Sequence, residues 1–167
     1  MTSLTKRLVP LAVILAACGC SKPATPPAAG SEEEAVQKAF AALQEAMKAK
    51  DGEKLFGLLD AESQADAERA AQSVKDAYAK ATPADKSEKE KELGLSAAEL
   101  AALDAKGFLK SKRFLGKWHE IPDSKFEKAT AQGEKATLNY VEQDGDHEKL
   151  SYVKQGGAWK VSIPMPK

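Results

Sequence analysis

The apolar period of this chain changes once, near residue 124, from the spacing of a helix to the alternation of a strand. Upstream, Val36, Phe40, Leu43 and Met47 recur at steps of four, three and four, which draws one apolar stripe along a helix. Downstream, Leu138 and Tyr140 alternate with Thr137 and Asn139, Leu150 and Tyr152 enclose Ser151, and Trp159, Val161 and Ile163 alternate with Lys160 and Ser162. The two patterns cannot exchange places, because each buries its apolar groups only in its own backbone geometry. Helices first and strands last predicts an α+β fold, with N-terminal helices packed on a C-terminal four-stranded antiparallel meander.

The breakers agree with the meander. Gln132-Gly133, Asp144-Gly145-Asp146 and Gly156-Gly157 fall between the alternating runs, where tight hairpins need them. Phe126, with Lys128 and Thr130 in step, fits a preceding edge strand. Pro164 and Pro166 close the last strand. The alternation turns Tyr140, Tyr152 and Trp159 to the inner face, where they line either a pocket or the core.

Residues 31–115 read as helices with their own start and stop signals. Ser31 and Glu34 form a capping-box pattern, and Asp51-Gly52 is expected to end the first helix. Leu55, Phe56, Leu58 and Leu59 suit a short second helix. Ser63 with Asp66 is expected to cap a third, whose face carries Ala67, Ala70, Ala71, Val74, Ala77, Tyr78 and Ala81. Thr82-Pro83 starts another, in which Asp85–Lys89 and Lys86–Glu90 have the spacing of helical ion pairs. Gly94 ends it, and Ser96 with Glu99 caps the next. Phe108, Leu109, Phe114 and Leu115 show no clear period. Hydrophobic residues make up 43% of the chain but aromatics only 6%, so the core should be alanine-rich.

The first residues obey a different logic. Lys6 and Arg7 precede an apolar run from Leu8 to Ala17, and small residues lead into Cys18. This is the layout of an export signal, about half the ~20 residues of a membrane-spanning helix and interrupted by Pro10. Leu15-Ala16-Ala17-Cys18 resembles the lipobox of bacterial lipoproteins. The resemblance implies cleavage of residues 1–17, a diacylglyceryl group on the Cys18 thiol and acylation of the new amine. Cys20 fits less well, because Ala17 would take the place of the branched residue. Gly19, where an Asp often retains lipoproteins at the inner membrane of diderm bacteria, points to the outer membrane and a periplasmic domain. Residues 18–30 then serve as a lipidated, proline-rich tether, and 31–167 as the domain.

The remaining composition excludes several classes. The formal net charge is zero, and removal of residues 1–17 leaves 23 basic against 25 acidic side chains. Only Arg69 and Arg113 remain of three arginines. Nucleic acid is therefore not an expected partner. Cysteine is absent beyond Cys20, so the body has neither disulfides nor thiolate metal ligands.

An amphipathic first helix, a short second helix and hairpins ending in Trp159-Lys160-Val161 resemble the cystatin-like α+β cone of the nuclear-transport-factor and ketosteroid-isomerase superfamily. The resemblance covers residues 31–60 and 108–163 and makes 61–107 a helical insertion, placed to cover the mouth of the cone. Enzymes of that superfamily pair an Asp base with Tyr or protonated carboxyl donors in an apolar cavity. No inward Asp stands at a matching position here: Asp123 follows Pro122 in a loop, and Asp144 and Asp146 lie in a turn. His119, in Trp118-His119-Glu120-Ile121-Pro122-Asp123, lacks a defined ligand set, and His147 lies between Asp146 and Glu148 at a strand start. The expectation is no catalytic site, no metal and no cofactor. It is a membrane-anchored, non-enzymatic interaction or scaffold module. The alternative is a small-molecule binder or vestigial enzyme using a cavity lined by Tyr140, Tyr152 and Trp159.

Overall fold

A computed structural model describes residues 29–166. The architecture is α+β: seven α-helices and a short 3₁₀ turn precede a four-stranded sheet of order β1-β2-β3-β4. The strands are β1 (Lys125–Gln132), β2 (Lys135–Val141), β3 (His147–Gln155) and β4 (Ala158–Ser162), each antiparallel to the next. The predicted breakers hold the turns, with Gly133, Gly145, Gly156 and Gly157 all at positive φ.

Helix α1 (Ala29–Ala49) lies on the inner face of this sheet. Its predicted stripe is the buried one: Val36, Phe40, Leu43 and Met47 are at most 3% exposed. The Phe40 ring meets Tyr140 of β2 at a centroid distance of 5.7 Å. Gln44 ties α1 to the chain that enters the sheet, donating through Nε2 to the carbonyls of Ile121 (2.9 Å) and Ser124 (2.8 Å). Near the other end, Glu32 accepts from the Trp159 indole N–H (2.9 Å) and pairs with Lys154 (2.6 Å).

The other helices form a second layer beside α1. They are α2 (Gly52–Leu58), α3 (Ala61–Lys80), α4 (Pro83–Leu93), α5 (Ala97–Ala101), α6 (Ala105–Leu109) and α7 (Lys112–Lys117). Thr82 and Ser96 cap α4 and α5 as the sequence predicts, and Gly94 ends α4 in the left-handed conformation. The stretch without a clear period resolves into α6 and α7, too short to show one, each capped by Asp104 or Ser111. Helices α3 to α5 pack on one another and on α6 and α7, not across the sheet's inner face, so the expected cover over a cone mouth is not what they form.

Several local expectations are corrected. Helix α1 spans Ala29–Ala49, so Ser31 falls within its helical run and not ahead of it. Asp51 and Gly52 do not simply end α1: the Asp51 carboxylate caps α2 by accepting from Lys54 N–H at 3.0 Å. Asp60 rather than Ser63 caps α3, accepting from Ser63 N–H at 2.7 Å. The buried Ser63 hydroxyl accepts instead from Ile163 N–H at 2.9 Å, joining α3 to the chain beyond β4. The i,i+4 pairs of α4 are not among the ion pairs present. Glu90 accepts from the Tyr78 hydroxyl at 2.7 Å, and Lys86 lies over that ring. A bulge between Phe126 and Lys128 shifts the register of β1, so Phe126 shares its face with Ala129 and Ala131 rather than with Lys128 and Thr130.

Gly52 is required by a close approach of backbones. A Cβ there would stand 2.0 Å from the Lys106 carbonyl oxygen of α6, whereas one at Gly57, in the same helix, meets nothing within 4 Å. Gly52→Ala should therefore destabilise the domain by about 1–3 kcal/mol, the usual cost of overpacking. Gly57→Ala should be neutral or stabilising by up to ~1 kcal/mol. Urea unfolding of the two variants checks the contrast.

Candidate functional site

The sequence nominates Tyr140, Tyr152 and Trp159, and the structure places all three in the core, at 3%, 1% and 5% exposure. Tyr140 and Tyr152 face inward from β2 and β3, in one buried cluster with Phe40, Leu43 and Leu138. Trp159 is buried with its indole N–H turned to Glu32 and its ring under Lys154 (5.6 Å). Those two bonds hold the Glu32 carboxyl below its ordinary range, Lys154 contributing first and Trp159 second. The Tyr152 hydroxyl is enclosed without a hydrogen-bond partner, and burial pushes its pKa up. A phenol in that position is a space-filling ring and not an acid at any physiological pH. Cys18 and the lipobox lie outside the described residues.

Tyr140 also reaches a surface hollow. It lines a depression of about 340 Å³ with Lys117, Trp118, Glu120, Ile121, Glu142 and Glu148. The elements that build it meet at one end of the sheet. Glu120 precedes the 3₁₀ turn Ile121–Asp123, which Gln44 anchors to α1. Glu142 leaves the end of β2, and its N–H donates to the Asp146 carbonyl across the turn at 2.8 Å. Glu148 stands opposite Tyr140 in the β2–β3 register.

This convergence makes an acidic site. Carboxylate oxygens of Glu120, Glu142 and Asp144 lie within 4.8 Å of one another. Like charges so close disfavour ionisation, and Glu142 rises to about 7. The first cause is its hydrogen bond with Glu120, then desolvation, then the fields of Glu120, Glu148 and Asp144. Desolvation and the neighbouring glutamates also push the Tyr140 hydroxyl up. Chemically, the hollow can hold a proton near neutrality or present oxygen ligands to a hard cation. Trp118 Nε1 is enclosed without a partner beside it.

Sequence reasoning missed this group. Glu120 and Glu142 have no sequence relation, and only the β2–β3 turn and the 3₁₀ turn bring them together. The histidine singled out beside Glu120 stays at the edge: His119 is exposed, with Nδ1 3.0 Å from the Gly116 carbonyl and Nε2 3.7 Å from Glu120. His147 pairs with Glu127 on the outer side of the sheet at 3.4 Å.

No family model matches the chain, and no curated protein or solved structure matches it.

The raised Glu142 has a consequence for stability. Its proton is bound more tightly in the folded state, so between about 4.5 and about 7 the folded protein carries more protons than the unfolded chain. Stability from this source is full below that window and is lost as pH rises through it. Glu142→Gln should flatten the loss and be the more stable protein at pH above the window. Chemical unfolding of both proteins across that range measures it; parallel profiles would place the carboxylates farther apart than described.

Proposed function

We propose that the chain is a bacterial envelope lipoprotein, anchored through Cys18, whose domain is a non-enzymatic interaction or scaffold module. The observation that carries the anchor is the order Lys6-Arg7, apolar run, Leu15-Ala16-Ala17-Cys18. Two acyl chains make such an attachment stable, at about 0.8 kcal/mol per buried methylene. Gly19 in place of Asp favours the outer membrane in a diderm cell, with the domain in the periplasm. No helix among the described residues is long and apolar enough to cross a membrane. An interaction role is supported by the filled interior: the rings that would line a cavity in the cone-like reading are spent on core packing, which leaves the outer surfaces to meet partners.

A second reading, a binder of a small cationic ligand, draws on the acidic hollow between Glu120, Glu142 and Glu148. It would use the mouth of the sheet and not its interior.

Intact mass of the membrane-extracted protein tests the first reading. The expected species lacks residues 1–17 and carries added acyl mass, and Cys18→Ala should abolish both changes. Processing that persists in Cys18→Ala and stops in Cys20→Ala would move the anchor. An unprocessed, unacylated wild-type chain would end the lipoprotein reading.

A further inference from the structure

We infer that the outward face of the sheet is a docking surface for an anionic phospholipid membrane. The register aligns this face in rows. Thr130, Thr137, Ser151 and Ser162 stand side by side across all four strands. On one side of that hydroxyl row run Lys128, Asn139 and Lys149, followed by Lys125, Val141 and His147. On the other run Gln132, Lys135, Val153 and Lys160. All helices that pack on the sheet do so from the opposite side, and among the described residues nothing covers this one.

The charge on the face is one-sided. Lys125, Lys128, Lys135 and Lys149 are exposed, and none is among the ion pairs of the described residues. Lys160, at the β4 edge, donates to the Gly57 carbonyl. The acid on this side is Glu127, at the bulge, and it is already engaged by His147. Asp144 and Asp146 belong to the turn at one end. Elsewhere on the domain lysines are interleaved with acids: Glu53 pairs with Lys106, Glu92 with Arg113, Glu99 with Lys110 and Asp123 with Lys48, and lysines outside ion pairs, such as Lys86, Lys89 and Lys91 of α4, stand beside Glu88, Glu90 and Glu92. On a nearly neutral protein, this flat, hydroxyl-rich plane thus carries lysines with few acids among them.

Flatness and lysine chemistry choose the occupant. Strands about 4.8 Å apart carry the lysines and hydroxyls as a plane, not as a cleft around one ligand. Ammonium groups on flexible stems suit phosphates whose positions are not fixed, whereas a fixed phosphate geometry calls for arginine. The surface rests on the membrane-anchored reading: eleven residues, Cys18 to Ala28, separate the anchor from α1, a contour length of at most about 40 Å, which keeps the domain within reach of the headgroups. A basic surface beside an acyl anchor is the two-signal arrangement that fixes a peripheral protein in one orientation.

The test uses the whole lipidated protein in vesicles of phosphatidylcholine alone or mixed with phosphatidylglycerol. Flotation with phosphatidylcholine vesicles reports the anchor. Acetylation rates of individual lysines, read by mass spectrometry, report the face. Lys125, Lys128, Lys135 and Lys149 should react roughly fivefold or more slowly in the anionic vesicles, since each lysine near such a surface contributes a factor of about that size. Lys38, Lys80 and Lys91, on the helices, should not change, and salt at about 1 M should erase the difference. Flotation without selective protection overturns the docking face and leaves the anchor. Failure to float, with protection on adding phosphatidylglycerol vesicles, overturns the anchor and leaves the face. Protection by a soluble acidic polysaccharide but not by phosphatidylglycerol overturns the membrane as the partner.

Discussion

The seating of α1 on the inner face of the sheet is the contact on which the rest of the domain depends. It brings the helix stripe Val36, Phe40, Leu43 and Met47 against the strand stripe that contains Leu138, Tyr140, Tyr152 and Trp159. Each large side chain so buried contributes about 1.5–3 kcal/mol relative to exposure. Polar bonds set the register of that contact at both ends. Gln44 fixes the chain that enters β1, and Glu32 fixes the β3–β4 hairpin through Trp159 and Lys154. With the entry to β1 fixed, Glu120 has one position available, and the acidic hollow follows from it.

The second helical layer is held differently. Its α3 face is alanine-rich, with Ala67 and Ala71 buried, while Leu55, Leu93, Leu100, Phe108, Leu109 and Phe114 come from the shorter helices, which are also held by side-chain caps and by the backbone approach of Gly52 to α6. Asp60 shows how such economy links layers. Its carboxylate caps α3, while its own N–H donates to the Val161 carbonyl at 2.9 Å, where Leu59 runs parallel to β4. One edge of the sheet is thereby partly covered, and the other, β1, carries Lys125 and Lys128, charges that discourage pairing with another strand.

Elements governed by local chemistry were legible in the sequence. The α1 stripe, the Thr82 and Ser96 caps, the glycine turns and the alternation of β2 to β4 are each written within a few residues. What failed depended on distant partners. Ser63 has the right residue type for a cap, but Ile163 claims its hydroxyl. The bulge at Phe126 answers to the register of β2, which no window on β1 contains. The inward set was readable as pocket or core, and only packing decided between them. The acidic group around Glu142 was invisible because its members come from separate turns. The lysines of the outward face are likewise not legible as a group, because they are scattered along the chain and only the strand register sets them side by side.

The domain's interior is filled by its own side chains, and on the proposed interaction reading partners meet its outer surfaces. The most direct measurement is the unfolding free energy of Trp159→Ala beside Lys135→Ala. A packed ring predicts a loss of roughly 3–5 kcal/mol for Trp159→Ala, a large share of a domain's stability, against a change within about 0.5 kcal/mol for the exposed lysine. A Trp159→Ala protein as stable as Lys135→Ala would contradict the account, because its ring would then line an open cavity.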